Sequence, residues 1–288
     1  MRKIDKDFSK IPASLLGERQ KLKGITKAKV GELKYDHEDV KKELNTIYKG
    51  KCAFCEQKRT LQIEHYRPTG NVEKQDLLSG KKHSGYFWLK IEWSNLLYAC
   101  HDCNRNGVKG TRFPIKNRDK RIDNPEFNPD GMPKNLNINE LDEIEQPLII
   151  NPEVTDPLKH LKVNVAGELV SVDDSEEGDK TIEVLQLKRD DLILKRKKII
   201  DNVKNDINFQ FSQSYFFPEK SNPLNASQLE IQLKYIFDKL VRRTEPEIEF
   251  TLVGYCMIHL FEELIIAETV EPFKSIVKET FVKYCLGA

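Results

Sequence analysis

Two Cys-x-x-Cys pairs, Cys52-Ala-Phe-Cys55 and Cys100-His-Asp-Cys103, stand in this chain at the spacing that metal chemistry requires. Two short knuckles, each giving two thiolates, supply the tetrahedral ligand set of a structural zinc site. The interval between them is longer than in a simple zinc ribbon, so a folded segment lies between the knuckles. That segment carries Glu64, His65 and Asn95, and Asn104 follows the last cysteine. A carboxylate and an amide oxygen are hard donors suited to Mg²⁺ or Mn²⁺ rather than to zinc among thiolates. An ion held by Glu64 and Asn104 could neutralise a phosphodiester oxygen and stabilise the leaving 3′ oxygen. A neutral His65 within reach of a water could then act as general base. Asn95 is expected to fix the loop backbone through its amide and so keep His65 oriented.

The elements that must position these groups follow from periodicity. Thr60–Tyr66 alternates apolar Leu61 and Ile63 with polar neighbours, which predicts a strand ended by Pro68. Alternation puts Gln62 and Glu64 on one face and His65 on the other. The aromatic-rich Gly85–Glu92 is a strand or a short helix, Asn95–Ala99 leads into the second knuckle, and a short helix is expected after Cys103. Upstream, Val40, Leu44 and Ile47 share a helical face over His37–Tyr48, with Gly50 as a C-terminal cap. Tyr35, Val40 and Leu44 are expected to pack against the metal domain, and residues 1–30 to form a loosely ordered basic arm.

Between Asn104 and Arg121 the chain places Arg105, Lys109, Arg112, Lys116, Arg118, Lys120 and Arg121 against a single acid, Asp119. Net charge over the whole chain is only +1, so any polyanion must be recognised by a local patch such as this one. Arg67, Arg105, Lys109, Arg112 and Lys116 are the expected phosphate contacts. Paired cysteines that suit a metal point to a reducing compartment, and Met1–Lys10 lacks the apolar core of a signal peptide, so a cytoplasmic location is expected. Phe250–Ala267 is the most apolar run, but His259, Glu262 and Glu263 interrupt it, so it predicts a buried helix and not a membrane span. Cys256 and Cys285 are expected to be buried as small apolar residues.

Beyond the basic stretch, residues 122–140 are rich in Asn and Pro and predict a loop. Lys162–Val172 predicts a hairpin, acidic Asp173–Asp179 an exposed loop, and Thr181–Val203 a helix. Phe216–Asn225, with Pro218 and Pro223, breaks the pattern before helices over Ala226–Arg243, Phe250–Thr269 and Phe273–Leu286. The chain therefore divides into an arm and helix (1–49), a chemical module (50–121), a connecting region with a hairpin (122–180) and a helical C-terminal domain (181–288) suited to a partner. Its fold class is α+β.

The order Cys52-x-x-Cys55, Glu64-His65-x-x-Pro68, Asn95-Leu96, Cys100-x-x-Cys103-Asn104 resembles the HNH endonuclease motif in its zinc-bearing, His-Asn-Asn form. The resemblance covers about residues 50–116 and implies a ββα-metal core that cleaves DNA with a divalent ion. By position it makes His65 the base, Asn95 the scaffolding asparagine, and Asn104 and Glu64 the metal ligands. The insertion between Pro68 and Asn95 exceeds a minimal HNH module. Gly85-Tyr86-Phe87-Trp88, Glu92–Leu96, Pro147–Pro152, Asp156-Pro157 and Thr181–Arg189 are similar to an HNH subfamily of bacterial Septu anti-phage systems (PtuB-like). That similarity implies a PtuA-like partner ATPase of the ABC/OLD type. A zinc-stapled nucleic-acid-binding module and a pure assembly subunit are the alternatives.

Overall fold

Strand β1 (Leu61–His65) pairs antiparallel with β2 (Leu96–Cys100), in a register that sets Leu61 opposite Cys100 and His65 opposite Leu96. In β2 every residue but Tyr98 is buried, so both faces of the strand are covered. The structure, a computed structural model, describes residues 1–134, 138–217 and 222–287. It divides into two compact units, Met1–His160 with Ser171–Leu187, and Leu161–Val170 with Lys188–Ala288.

The first unit opens with α1 (Ala13–Glu18), two 3₁₀ turns over Arg19–Leu22 and Lys27–Glu32, and α2 (Glu38–Tyr48). Helix α2 buries Val40, Leu44 and Tyr48 and ends on Lys49 and Gly50, both at positive φ. The first 30 residues are not a loose arm. Ile4, Leu15, Leu22 and Ile25 are buried, and the Ile4 N–H donates to Pro152 O at 2.8 Å. Lys6 is buried as well, its ammonium donating to Trp93 O (2.7 Å), Leu96 O (2.6 Å) and Glu153 Oε1 (3.1 Å). Basic composition suggests solvation, but three oxygen acceptors and the Trp93 ring 3.8 Å away replace water around this ammonium.

Downstream of β1 the aromatic stretch resolves into 3₁₀ turns at Phe87–Leu89 and Trp93–Asn95. Gly85 (φ +77°) permits the approach to the Pro68–Asn71 loop: a Cβ there would lie 2.6 Å from the Thr69 carbonyl carbon. The short helix α3 spans His101–Asn104, so it begins before Cys103 and closes on Asn104. Helix α4 (Ile138–Glu145) follows, beginning inside the stretch 122–140 expected to be a loop and running past its end. A short hairpin, β3 (Leu161–Val163) with β4 (Leu169–Ser171), then precedes α5 (Glu176–Val184). Part of the expected acidic loop is therefore helical. Ser175 Oγ caps it by accepting from Gly178 N at 3.1 Å, and Glu176, Glu177 and Asp179 sit favourably at its positive end.

The second unit holds the hairpin and the helices α6 (Asp190–Ser212), α7 (Ala226–Arg242), α8 (Thr251–His259) and α9 (Phe273–Cys285). The single helix expected over Thr181–Val203 is broken between α5 and α6, where Gln186 adopts φ 47°. The expected Phe250–Thr269 helix is α8 followed by a π turn at Glu262–Ile266. Asn225 and Gln228 form a reciprocal capping box that starts α7. Cys256 is buried, whereas Cys285, in the last turn of α9, is exposed. Pro218, one of the two prolines of the expected break at Phe216–Asn225, and residues 135–137 of the expected 122–140 loop lie outside the described residues.

Removing the carboxylate of the Lys6–Glu153 pair leaves a buried ammonium without its counter-charge. Glu153→Ala should destabilise the first unit by about 3 kcal/mol, read as a lower midpoint in urea.

Candidate metal centre and active site

Cys52, Cys55, Cys100 and Cys103 come together, all buried, with their four Sγ atoms within 4.8 Å of one another. The Cys55–Cys100 separation is 3.7 Å, far above the roughly 2.05 Å of a disulfide. It equals the edge of a tetrahedron of thiolates bonded to zinc at about 2.3 Å. The Phe54 and Cys100 N–H groups both donate to Cys52 Sγ at 3.4 Å, which favours thiolate there. The cluster is assembled by β2: the Ala53 N–H donates to Tyr98 O at 2.8 Å, docking the first knuckle onto the strand that ends in the second. This buried set could hold a zinc ion.

Glu64, buried in β1, is joined by the Asn104 amide and by the ammonium of Lys109, which is itself fully buried. Lys109 also donates to His65 O at 2.7 Å. Burial raises the Glu64 pKa, while Lys109 and Asn104 oppose that rise. Glu64 and Asn104 Oδ1 are hard oxygen donors and fit Mg²⁺ or Mn²⁺ in type. Any such ion would share the Glu64 carboxylate with Lys109.

The neighbouring His65 turns the other way, as strand alternation requires. Its Nε2 lies 2.9 Å from Lys90 O. A carbonyl can only accept, so Nε2 carries the hydrogen and the neutral ring presents Nδ1 as its lone pair. Burial pushes the pKa of the ring down to about 4, with the positive charges of Lys109 and Lys90 acting in the same sense, so the neutral form holds at pH 7. The Tyr35 ring stands edge-on to His65 at 4.5 Å, and Lys90 Nζ reaches across to Val30 O at 2.9 Å. The N-terminal segment thus forms one wall of the site.

Asn95 ties two loops together. Its Oδ1 accepts from Arg67 N at 2.8 Å, and its Nδ2 donates to Arg67 O (3.1 Å) and Leu89 O (3.2 Å). Arg67 leaves β1 two residues after His65, and Leu89 precedes the Lys90 carbonyl that holds the imidazole. One amide therefore fixes both anchors of His65.

The expected phosphate contacts are redistributed. Arg67 is fully buried, with Nε donating to Glu145 at 3.1 Å and Nη2 to Asp142 at 2.7 Å. Burial alone would lower its pKa, and the two carboxylates more than offset that. Lys109 is occupied by Glu64, and Arg112 pairs with Asp76 at 2.9 Å and with Glu183 at 3.5 Å. Arg67 and Lys109 are therefore out of reach of a polyanion, because buried carboxylates hold them in the core. Arg105 and Lys116 remain exposed, Arg105 beside Gln186 and Lys116 3.8 Å from Glu176. Sequence reasoning missed Lys90, Asp142 and Glu145. The first acts through its carbonyl, which no side-chain pattern betrays, and the acids come from α4, distant in sequence.

Metal analysis of the purified chain should find one zinc ion per molecule. Cys103→Ser should lose it and expose the first unit to limited proteolysis, since metal binding there contributes directly to folding.

No family model matches the chain. Over 174 residues, 59% of the chain, it is 32% identical to Septu protein PtuB of Bacillus mycoides (strain KBAB4), spanning 54% of that protein. It is 29% identical over 206 residues, 69% of the chain, to Septu protein PtuA of the same strain, spanning 25% of that protein. The chain thus covers about half the length of PtuB and a quarter of PtuA. Among the described residues, no helix is long and apolar enough to cross a membrane. Similarity of this extent is homology, and the chain is a relative of the Septu proteins PtuB and PtuA.

Proposed function

We propose that this chain is a cytoplasmic, metal-dependent endonuclease of the HNH type that hydrolyses DNA phosphodiester bonds. We place it in an anti-phage system of the Septu kind, controlled by a PtuA-like ATPase partner, with the second unit as the surface that meets that partner. The observation that carries the reading is the His65 ring, neutral, with Nε2 bound to Lys90 O and Nδ1 left as base, beside Glu64 and Asn104. The order β1, β2, α3 beside a four-cysteine cluster supports a ββα-metal core. Homology to PtuB supports the defence role.

In this reading His65 Nδ1 takes a proton from water as that water attacks phosphorus, and Lys90 O stabilises the imidazolium through Nε2–H. Asn95 keeps the ring aimed by holding Arg67 and Leu89. A divalent ion bound by Glu64 and Asn104 would supply charge neutralisation at the phosphate and the leaving oxygen. Arg105 and Lys116 are exposed to position the backbone.

A second reading, a zinc-stapled nucleic-acid-binding or assembly subunit without catalysis, is favoured by one contact. The Lys109 ammonium already neutralises Glu64, which reduces the attraction of that carboxylate for a cation.

Plasmid relaxation with Mg²⁺ or Mn²⁺, with and without a co-expressed PtuA-like protein, separates the two. Wild type should nick DNA and His65→Ala should lose about 10²–10⁴-fold in rate. Cleavage unaffected by His65→Ala, or no cleavage of DNA in either setting, overturns the nuclease reading.

A further inference from the structure

The loop after Leu77 and the segment around Arg118 enclose a cavity of about 200 Å³ whose lining does not include His65. Its charged lining is Lys81, Lys82, Arg118 and Arg121 against Asp119 and Asp123. Among the described residues none of the four cations is ion-paired. Arg118 and Arg121 are instead held by neutral acceptors. Arg118 Nη1 donates to Leu77 O at 3.2 Å. Arg121 donates to Phe113 O (2.7 Å), Asp76 O (3.2 Å) and the Tyr86 hydroxyl (2.8 Å). Such acceptors orient a guanidinium without cancelling its charge.

Arg121 is only 9% exposed, and among the described residues its buried Nε has no hydrogen-bond partner. A buried N–H of this kind costs stability unless a ligand or solvent oxygen meets it. Of the two acids, Asp123 lies 3.6 Å from His83 Nε2, and burial holds His83 towards its neutral form. The lining keeps an excess of two positive charges over a volume that admits a tetrahedral oxyanion.

We infer that this cavity binds a backbone phosphate of a nucleic-acid strand, with Lys81, Lys82 and Arg118 at its rim and Arg121 at its floor. This rests on the nuclease reading and adds a holding site to it. Rim lysines that are exposed and unpaired suit a strand that lies across the opening, whereas a free phosphate compound calls for an enclosed pocket.

The test uses the full chain carrying His65→Ala, a fluorescent duplex and a salt series. Lys81→Gln/Lys82→Gln and, separately, Arg118→Gln are compared with a charge-matched control in the second unit, Lys195→Gln/Lys198→Gln. The lysine pair should weaken duplex binding about tenfold at 0.15 M salt and flatten the log–log salt slope by about 2, near 0.9 for each lost contact. Arg118→Gln should flatten it by about 1, and the control by nothing. Equal affinity and slope in all variants overturns the inference, while plasmid nicking lost only with His65 leaves the nuclease standing. A parent that binds no duplex removes both. Calorimetry with inorganic pyrophosphate identifies the source: heat lost in the lysine variant while duplex binding is unchanged would assign the cavity to a free phosphate compound and overturn the nucleic-acid assignment.

Discussion

The convergence of four thiols from two distant turns is the constraint on which the first unit depends. One knuckle precedes β1 and the other closes β2, so bringing them together fixes the two-strand register that sets His65 opposite Leu96. Glu64, His65 and Asn104 then inherit their positions from a five-residue pairing too short to be stable in isolation. A metal bound by the thiols would do for this strand pair what a large core does for a longer sheet.

Around that staple lies a buried electrostatic frame. Glu145, fully buried on α4, accepts from Arg67, from the Tyr86 hydroxyl and from Ile122 N. Arg67 in turn has its backbone held by Asn95. The loop behind the imidazole is thus tied to α4 by groups that cannot be withdrawn singly without leaving an unpaired charge in the interior. Buried pairs of this kind add little net stability but specify one arrangement, which suits a site where a misplaced ring would be costly.

Much of the site could be read in the sequence because its groups are tied to local rules. The thiol spacing, the period-two strand and the opposed directions of Glu64 and His65 are local properties, and the structure retains them. The tethering of the His65 loop by Asn95 follows from an amide's ability to donate and accept at once. What escaped was long-range pairing. Nothing about Arg67 or Lys109 in the linear chain distinguishes a solvated cation from one matched by Asp142, Glu145 or Glu64. The N-terminal arm misled for the same reason, since the acceptors of Lys6 lie near residues 93–96 and at Glu153. The helix boundaries at α5 and α6 shifted because a serine cap and a left-handed Gln186 override apolar periodicity.

The Lys109–Glu64 contact separates two roles that metals often combine. A buried carboxylate without a partner would oppose folding or wait for an ion to rescue it. Here the chain carries its own counter-charge, so the β1 carboxylate can be laid down during folding whatever the supply of Mg²⁺ or Mn²⁺. Architecture would then answer to the soft-metal site alone. In the proposed nuclease, an ion at Glu64 and Asn104 would then tune activity without putting the fold at risk.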